Sequence, residues 1–289
     1  MSIAKATALE ILSEPLSLLL LLSALALSTL APSFHYHQFG EATRMARDAG
    51  FSALFTCGLL VSVFGTVRSF RREIETGTVQ MALAHPVSRA GFFLSKVAGV
   101  LLAGSFFSAI VIATMVTVVN GAAIGGALAA RSGEIASLWG PSLAIGVGTI
   151  LVPLAVGAAL HRFLRFRFVL TSFGCAFVLA LLGVCYRFDM RLFLRLLPVV
   201  LPVLTVHLVF VTAASMAAVR FKANGALAFV GVLFAASLPA IGNYYLPDAL
   251  SNGGHLPWGY VGLAAMAAFP AAGAFLCAGV RFFNGKDVV

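Results

Sequence analysis

The sequence predicts an all-α fold: a polytopic helical membrane protein of about eight spans, with both termini cytoplasmic. Three observations carry this. Apolar residues fill 61% of the 289 positions and charged residues only 10%, against roughly 45–50% and about 25% in soluble domains. The apolar residues form continuous runs, as in "PLSLLLLLSALALSTLAP" (Pro15–Pro32), and not the period-two alternation of a membrane barrel. Eight such runs occur, near 16–34, 50–67, 97–119, 138–160, 168–185, 198–219, 224–242 and 258–280. Each is close to the roughly 20 apolar residues that a span requires.

Residues 1–14 are expected to form an interfacial helix, because Ile3, Ala6, Leu9 and Leu12 recur at helical spacing. Glu10 and Glu14 occupy what would be the basic lead-in of a signal peptide, so the first run reads as a span. With an even number of spans both ends share one side. Lys5, Arg68, Arg71, Arg72, Arg89, Lys96, Arg162, Arg165, Arg167, Arg220, Lys222, Arg281 and Lys286 then lie inside. Arg44, Arg47, Arg131, Arg187, Arg191 and Arg195 lie outside. Thirteen against six follows the positive-inside bias. The region 168–197 is ambiguous between a crossing and a re-entrant hairpin. Arg187, Arg191 and Arg195 would share one face of a helix lying flat in the headgroups, and Pro198 and Pro202 are expected to break the helix. The whole chain, 1–289, reads as one transmembrane domain, with an outer loop at 243–257.

The net charge of +9 reflects basic residues at the ends of apolar runs, where snorkelling and topology put them, so no nucleic-acid partner is expected. Cys57, Cys175, Cys185 and Cys277 match no zinc or disulfide spacing. Within the spans His207 is the only ionisable group away from the ends. Proton- and ion-coupled transporters usually hold carboxylates or histidines there, so a secondary transporter is the weakest reading. No catalytic residues and no metal or cofactor site of this chain are expected. The nearest approach to a phosphate-binding loop, "GVRFFNGKD" (Gly279–Asp287), has the wrong spacing, ends in Asp where Ser or Thr is needed, and follows a span. Energy for uphill transport would have to come from another chain.

One polar stretch interrupts the apolar pattern. "RREIETGTVQMALAHPVSRAGFFLSK" (Arg71–Lys96) falls inside by the charge tally. Glu73–His85 is expected to form a short helix interrupted by Gly77. Pro86 ends it, and Ser88 caps a new helix beginning at Arg89. The product is an elbow over 68–96, with Ile74, Val79, Met81 and Leu83 available to a partner.

The residues of this stretch resemble the cytoplasmic signature of type-2 ABC exporter permeases: an acidic residue followed by Gly-Thr, an apolar stretch, Pro-(Val/Ile)-Ser-Arg, and a Lys opening the next span. The matching positions are Glu73, Glu75, Gly77, Thr78, Leu83, Pro86, Val87, Ser88, Arg89 and Lys96. "LPDALSNGGHLPWGY" (Leu246–Tyr260), a span and "FFNGKDVV" are similar to the end of the subgroup that includes the nitrous-oxide-operon permease. The resemblance implies the permease subunit of an ABC transporter in the inner (cytoplasmic) membrane. A second permease copy, identical or not, and cytoplasmic ATPase subunits would complete it. ATP and Mg would be bound by the ATPase. Glu73, Glu75, Gly77, Thr78, Met81 and Leu83 would meet the ATPase, flanked by Arg71 and Arg72, while Pro86, Val87, Ser88 and Arg89 would set the elbow angle. The family commonly has six spans, so a hairpin over about 138–185 would be additional. "EIASLWG" (Glu134–Gly140) also resembles the EAA loop of ABC importers, but the tally puts Glu134 outside, where that loop is cytoplasmic. A non-transporting scaffold using the same elbow is the reading from a different functional class.

Overall fold

The computed structural model describes residues 3–30, 42–77, 88–132, 139–186, 190–245 and 257–285; at 42–43, 122–132, 139–145, 191–192 and 240–245 it describes the backbone alone. These residues form nine helices and no strand. They are α1 (Ile3–Leu12), α2 (Pro15–Leu30), α3 (Ala42–Glu75), α4 (Arg89–Ser132), α5 (Trp139–Leu164), α6 (Phe168–Tyr186), α7 (Met190–Arg220), α8 (Ala223–Tyr245) and α9 (Trp258–Asn284). Every one of the eight apolar runs coincides with a helix. Six helices are long and apolar enough to cross a membrane, or seven if α1 and α2 count as one broken span. The apolar part of α8 with described side chains, Ala223–Pro239, is shorter than a span.

The helix boundaries follow local chemistry. Pro15 opens α2, where a missing N–H costs nothing, and the Glu14 carbonyl accepts from Ser17 and Leu18. Pro198 and Pro202 do not break α7, contrary to expectation; both lie within one continuous helix. The Thr205 hydroxyl donates to the Pro202 carbonyl at 2.7 Å; a membrane helix tolerates a proline where its surroundings satisfy the carbonyl freed one turn back. Arg191 and Arg195 therefore sit on the first turns of a long helix and not on a separate flat one. Arg187 lies outside the described residues. α6 is a helix of spanning length, so 168–186 has the length of a crossing.

The chain divides into two compact units. Unit 1 comprises residues 1–11, 59–104 and 195–289; unit 2 comprises 12–58 and 105–194. α3 and α4 contribute to both.

In unit 2, α5 and α6 pair as a hairpin joined by 165–167, and α2 packs on both. This is the hairpin that the sequence places over 138–185. Small residues let its backbones approach. A Cβ on Gly157 would collide with Ser172, and one on Gly146 would come within 3.0 Å of Leu30. Such close approaches hold helices together in lipid, where no hydrophobic effect separates helix from solvent. Phe106 and Phe177 meet at 4.9 Å between ring centroids. Two buried hydroxyls of α2 are satisfied within their own helix, Ser28 to Ala24 at 2.8 Å and Thr29 to Leu25 at 2.7 Å.

In unit 1, α1 lies against α3 and α4. A Cβ on Gly65 would reach Ile11, and one on Gly99 would stand 2.5 Å from the Ala4 carbonyl oxygen. The face that α1 buries is thus Ala4–Thr7–Ile11, and Ala6 is exposed. Of the expected stripe of Ile3, Ala6, Leu9 and Leu12, Leu12 is buried and Ile3 and Leu9 are half-buried, while Ala4, a small residue, allows the close approach to Gly99. Phe70, Phe93 and Phe283 are almost fully buried, with Phe93 centred 5.4 Å from Phe70 and 6.1 Å from Phe283.

Candidate functional site

The charged residues of unit 1 collect where five helix ends meet. α3 does not end with its apolar run. It continues as one helix through Arg71, Arg72, Glu73 and Glu75, so these residues belong to the span's own last turns and not to a separate elbow helix. Thr76 closes the helix with its N–H and hydroxyl both donating to the Arg72 carbonyl, at 2.9 and 2.8 Å. Gly77 follows at φ +69°, the left-handed position that commonly ends helices and that glycine adopts without penalty. On the other side, the Ser88 hydroxyl accepts from the Gly91 N–H at 3.1 Å, and its carbonyl accepts from Phe92 at 2.9 Å. Ser88 is the N-cap expected from the sequence. Thr78, Met81, Leu83, Pro86 and Val87 lie outside the described residues.

The last turns of α3 and the first turns of α4 enclose a buried ion pair. Lys96 Nζ is 2.6 Å from Glu73 Oε2, and the lysine side chain is 0% exposed while the glutamate is 27% exposed. The attraction between the two charges is mainly Coulombic. The ammonium also stands 5.3 Å from the Phe70 ring centroid, within cation–π range. Glu10 of α1 adds to the attraction from further away. A lysine stripped of water needs such compensation, since a lone buried charge costs several kcal/mol or more.

Further ties bind the neighbouring helices. Glu10 accepts from the Ser69 hydroxyl at 3.2 Å and pairs with Arg72 at 3.4 Å. Arg71 pairs with Glu75 at 2.6 Å and donates to the Phe221 carbonyl at 3.3 Å, just past the end of α7. Arg89 donates to the Asn284 carbonyl at 3.2 Å, at the end of α9. Cations at helix C-termini meet unpaired carbonyls and the negative end of the helix dipole. The ends of α1, α3, α7 and α9 and the start of α4 are thereby fastened together.

The structure brings together Arg71, Arg72, Glu73, Glu75 and Gly77 on one side and Ser88 and Arg89 on the other. It divides them by exposure. Arg72 and Glu75 face outward, at 64% and 59%, whereas Glu73 turns inward to Lys96. Lys96 enters the family pattern as the lysine opening the next span, and the structure adds it and Glu10 to the site. Lys96 carried a usable signal: it sits seven residues inside its helix, flanked by apolar side chains. The carbonyls of Phe221 and Asn284 carried none, since backbone acceptors have no sequence signature.

Gly279, the first glycine of the stretch resembling a phosphate loop, sits inside α9 with its α-carbon facing the Phe93 ring. It serves helix packing there.

No curated protein and no solved structure matches the chain. Residues 3–167 match a family described as ABC-2 family transporter protein, a match that includes α1, the last turns of α3, Gly77, Ser88, Arg89 and Lys96. With more than half of its length covered, this chain of long apolar helices is a membrane component of the ABC-2 transporter family.

Proposed function

We propose that the chain is the permease subunit of an ATP-driven exporter in the inner membrane, with its charged helix ends in the cytoplasm. Two permease copies would work with two separate ATPase subunits that bind ATP and Mg. The segment from Thr76 to Ser88 would receive the ATPase, with Arg72 and Glu75 as the exposed ionic contacts at its edge. The observation that carries this reading is the buried Lys96–Glu73 pair directly under an exposed Arg72 and Glu75. A push on that segment acts on α3 and α4 together, because a desolvated ion pair resists separation. The ties from Arg71 and Arg89 extend it to α7 and α9.

The nitrous-oxide-operon subgroup is the finer assignment, supported by the sequence of Leu246–Tyr260 and of the C-terminal tail. An adjacent ATPase gene, and the kind of genes around it, would test that assignment directly.

The biochemical test is co-expression of the chain with its candidate ATPase, followed by affinity capture and ATP turnover in vesicles. Wild-type protein is expected to retain the ATPase. Glu75→Arg combined with Gly77→Trp is expected to lose both capture and transport while keeping its melting temperature within a few degrees. A double variant that transports normally overturns the coupling reading. Capture without substrate-dependent ATP turnover would mark a scaffold.

A further inference from the structure

A second feature lies in unit 2. The last turn of α5 and the connection to α6 carry Arg162, Arg165 and Arg167, all exposed, and no described acidic side chain pairs with them. Between them stand Phe163, Leu164 and Phe166, exposed by 82%, 60% and 53%. Arginines interleaved with exposed aromatic and aliphatic side chains suit the boundary between hydrocarbon and headgroups. The turn is built firmly. Arg165 adopts φ 55°, a conformation that costs a non-glycine residue. His161 Nδ1 donates to the Phe166 carbonyl at 2.7 Å, and the Arg165 N–H donates to the His161 carbonyl at 3.2 Å.

Directly after Arg167, Phe168 and Val169 form one wall of a groove whose other wall is Pro15, Leu18, Leu19, Leu22 and Ser23 of α2. The groove has a volume of about 440 Å³. The Ser23 hydroxyl is already bonded to the Leu19 carbonyl at 2.9 Å, so the lining makes no polar demand. From Pro15 to Ser23 the helix rises about 12 Å, close to the roughly 15 Å of hydrocarbon in one leaflet.

We infer that this groove and its arginines form a binding site for an anionic phospholipid, with one acyl chain between α2 and α6 and the phosphate held by Arg162, Arg165 and Arg167. The groove supplies contact with the chain and the arginines supply selection by charge. Basic residues beside membrane helices favour anionic headgroups in this way, each by about fivefold. The inference does not depend on the coupling reading, since none of these residues belongs to the ion-pair cluster.

The test uses the full chain in nanodiscs of phosphatidylcholine with added phosphatidylglycerol, followed by gentle detergent extraction and native mass spectrometry. Wild-type protein is expected to retain phosphatidylglycerol in preference to phosphatidylcholine. The triple change Arg162→Gln, Arg165→Gln and Arg167→Gln is expected to lose on the order of a hundredfold of that preference, whereas the three Arg→Lys changes keep most of it. Leu22→Trp, which fills the groove, is expected to reduce retention of both lipids. Equal retention of the two lipids by wild type overturns the inference. So does an unchanged preference in the triple Gln variant, or lipid-free protein whose Leu19 cross-links to a second copy.

Discussion

Lys96 Nζ and Glu73 Oε2 lie 2.6 Å apart with the lysine fully buried and the glutamate partly open to solvent. The asymmetry determines what each substitution does. Glu73→Gln leaves an ammonium in the interior without its closest anion, and breaking such a pair costs about 3–5 kcal/mol. Lys96→Met leaves a carboxylate that can still reach water, so its cost is smaller. Thermal unfolding in detergent should therefore rank wild type above Lys96→Met, and Lys96→Met above Glu73→Gln. The double change should recover much of the loss, because an uncharged pair of similar volume removes the unpaired charge that either single change leaves. A Glu73→Gln protein that melts with wild type would show that the pair contributes no net stability.

Gly279 is a packing position. A Cβ there would stand 2.5 Å from the Phe93 ring, and that ring is held between Phe70 and Phe283. Gly279→Ala is expected to cost about 1–3 kcal/mol, as overpacking of a filled core does. Gly148→Ala is the control. A Cβ at Gly148 meets nothing within 4 Å, so alanine there should be neutral or stabilise the helix by up to about 1 kcal/mol. Equal melting shifts for the two variants would contradict the packing role.

Gly77 differs in kind. Among the described residues a Cβ there meets nothing within 4 Å, yet the backbone is at φ +69°. Substitution therefore costs only the left-handed strain, about 1–2 kcal/mol for a residue such as Ala. Gly77→Asn should cost less than Gly77→Ala, since Asn tolerates this conformation better. Because no described neighbour blocks it, a large side chain at 77 probes the exposed surface and not the fold. Differential melting of the Ala, Asn and Trp variants measures this; a loss for Trp far beyond that for Ala would show a contact that the open geometry excludes.

Several features of the sequence predict their structural counterparts directly. Each continuous apolar run became a helix, because in hydrocarbon the backbone must satisfy its own hydrogen bonds. Ser88 caps α4 and Gly77 ends the last turn after α3, since both act through backbone geometry within a few residues. The proline signal at 198 and 202 misled for the complementary reason. A proline removes one bond, and whether the helix survives depends on how the surroundings satisfy the carbonyl four residues earlier.

By itself, then, the order of apolar and polar residues determined that this is a helical membrane protein, where its helices run, and that Arg71–Lys96 is its unusual segment. Only the tertiary structure decided that Glu73 turns inward while Glu75 faces out. It also decided that Lys96 is buried against α3, and that Arg71 and Arg89 close helices more than a hundred residues away. Local patterns register bonds between near neighbours. A charge buried by distant parts of the chain leaves no such pattern, because its partner is chosen by which helices pack together.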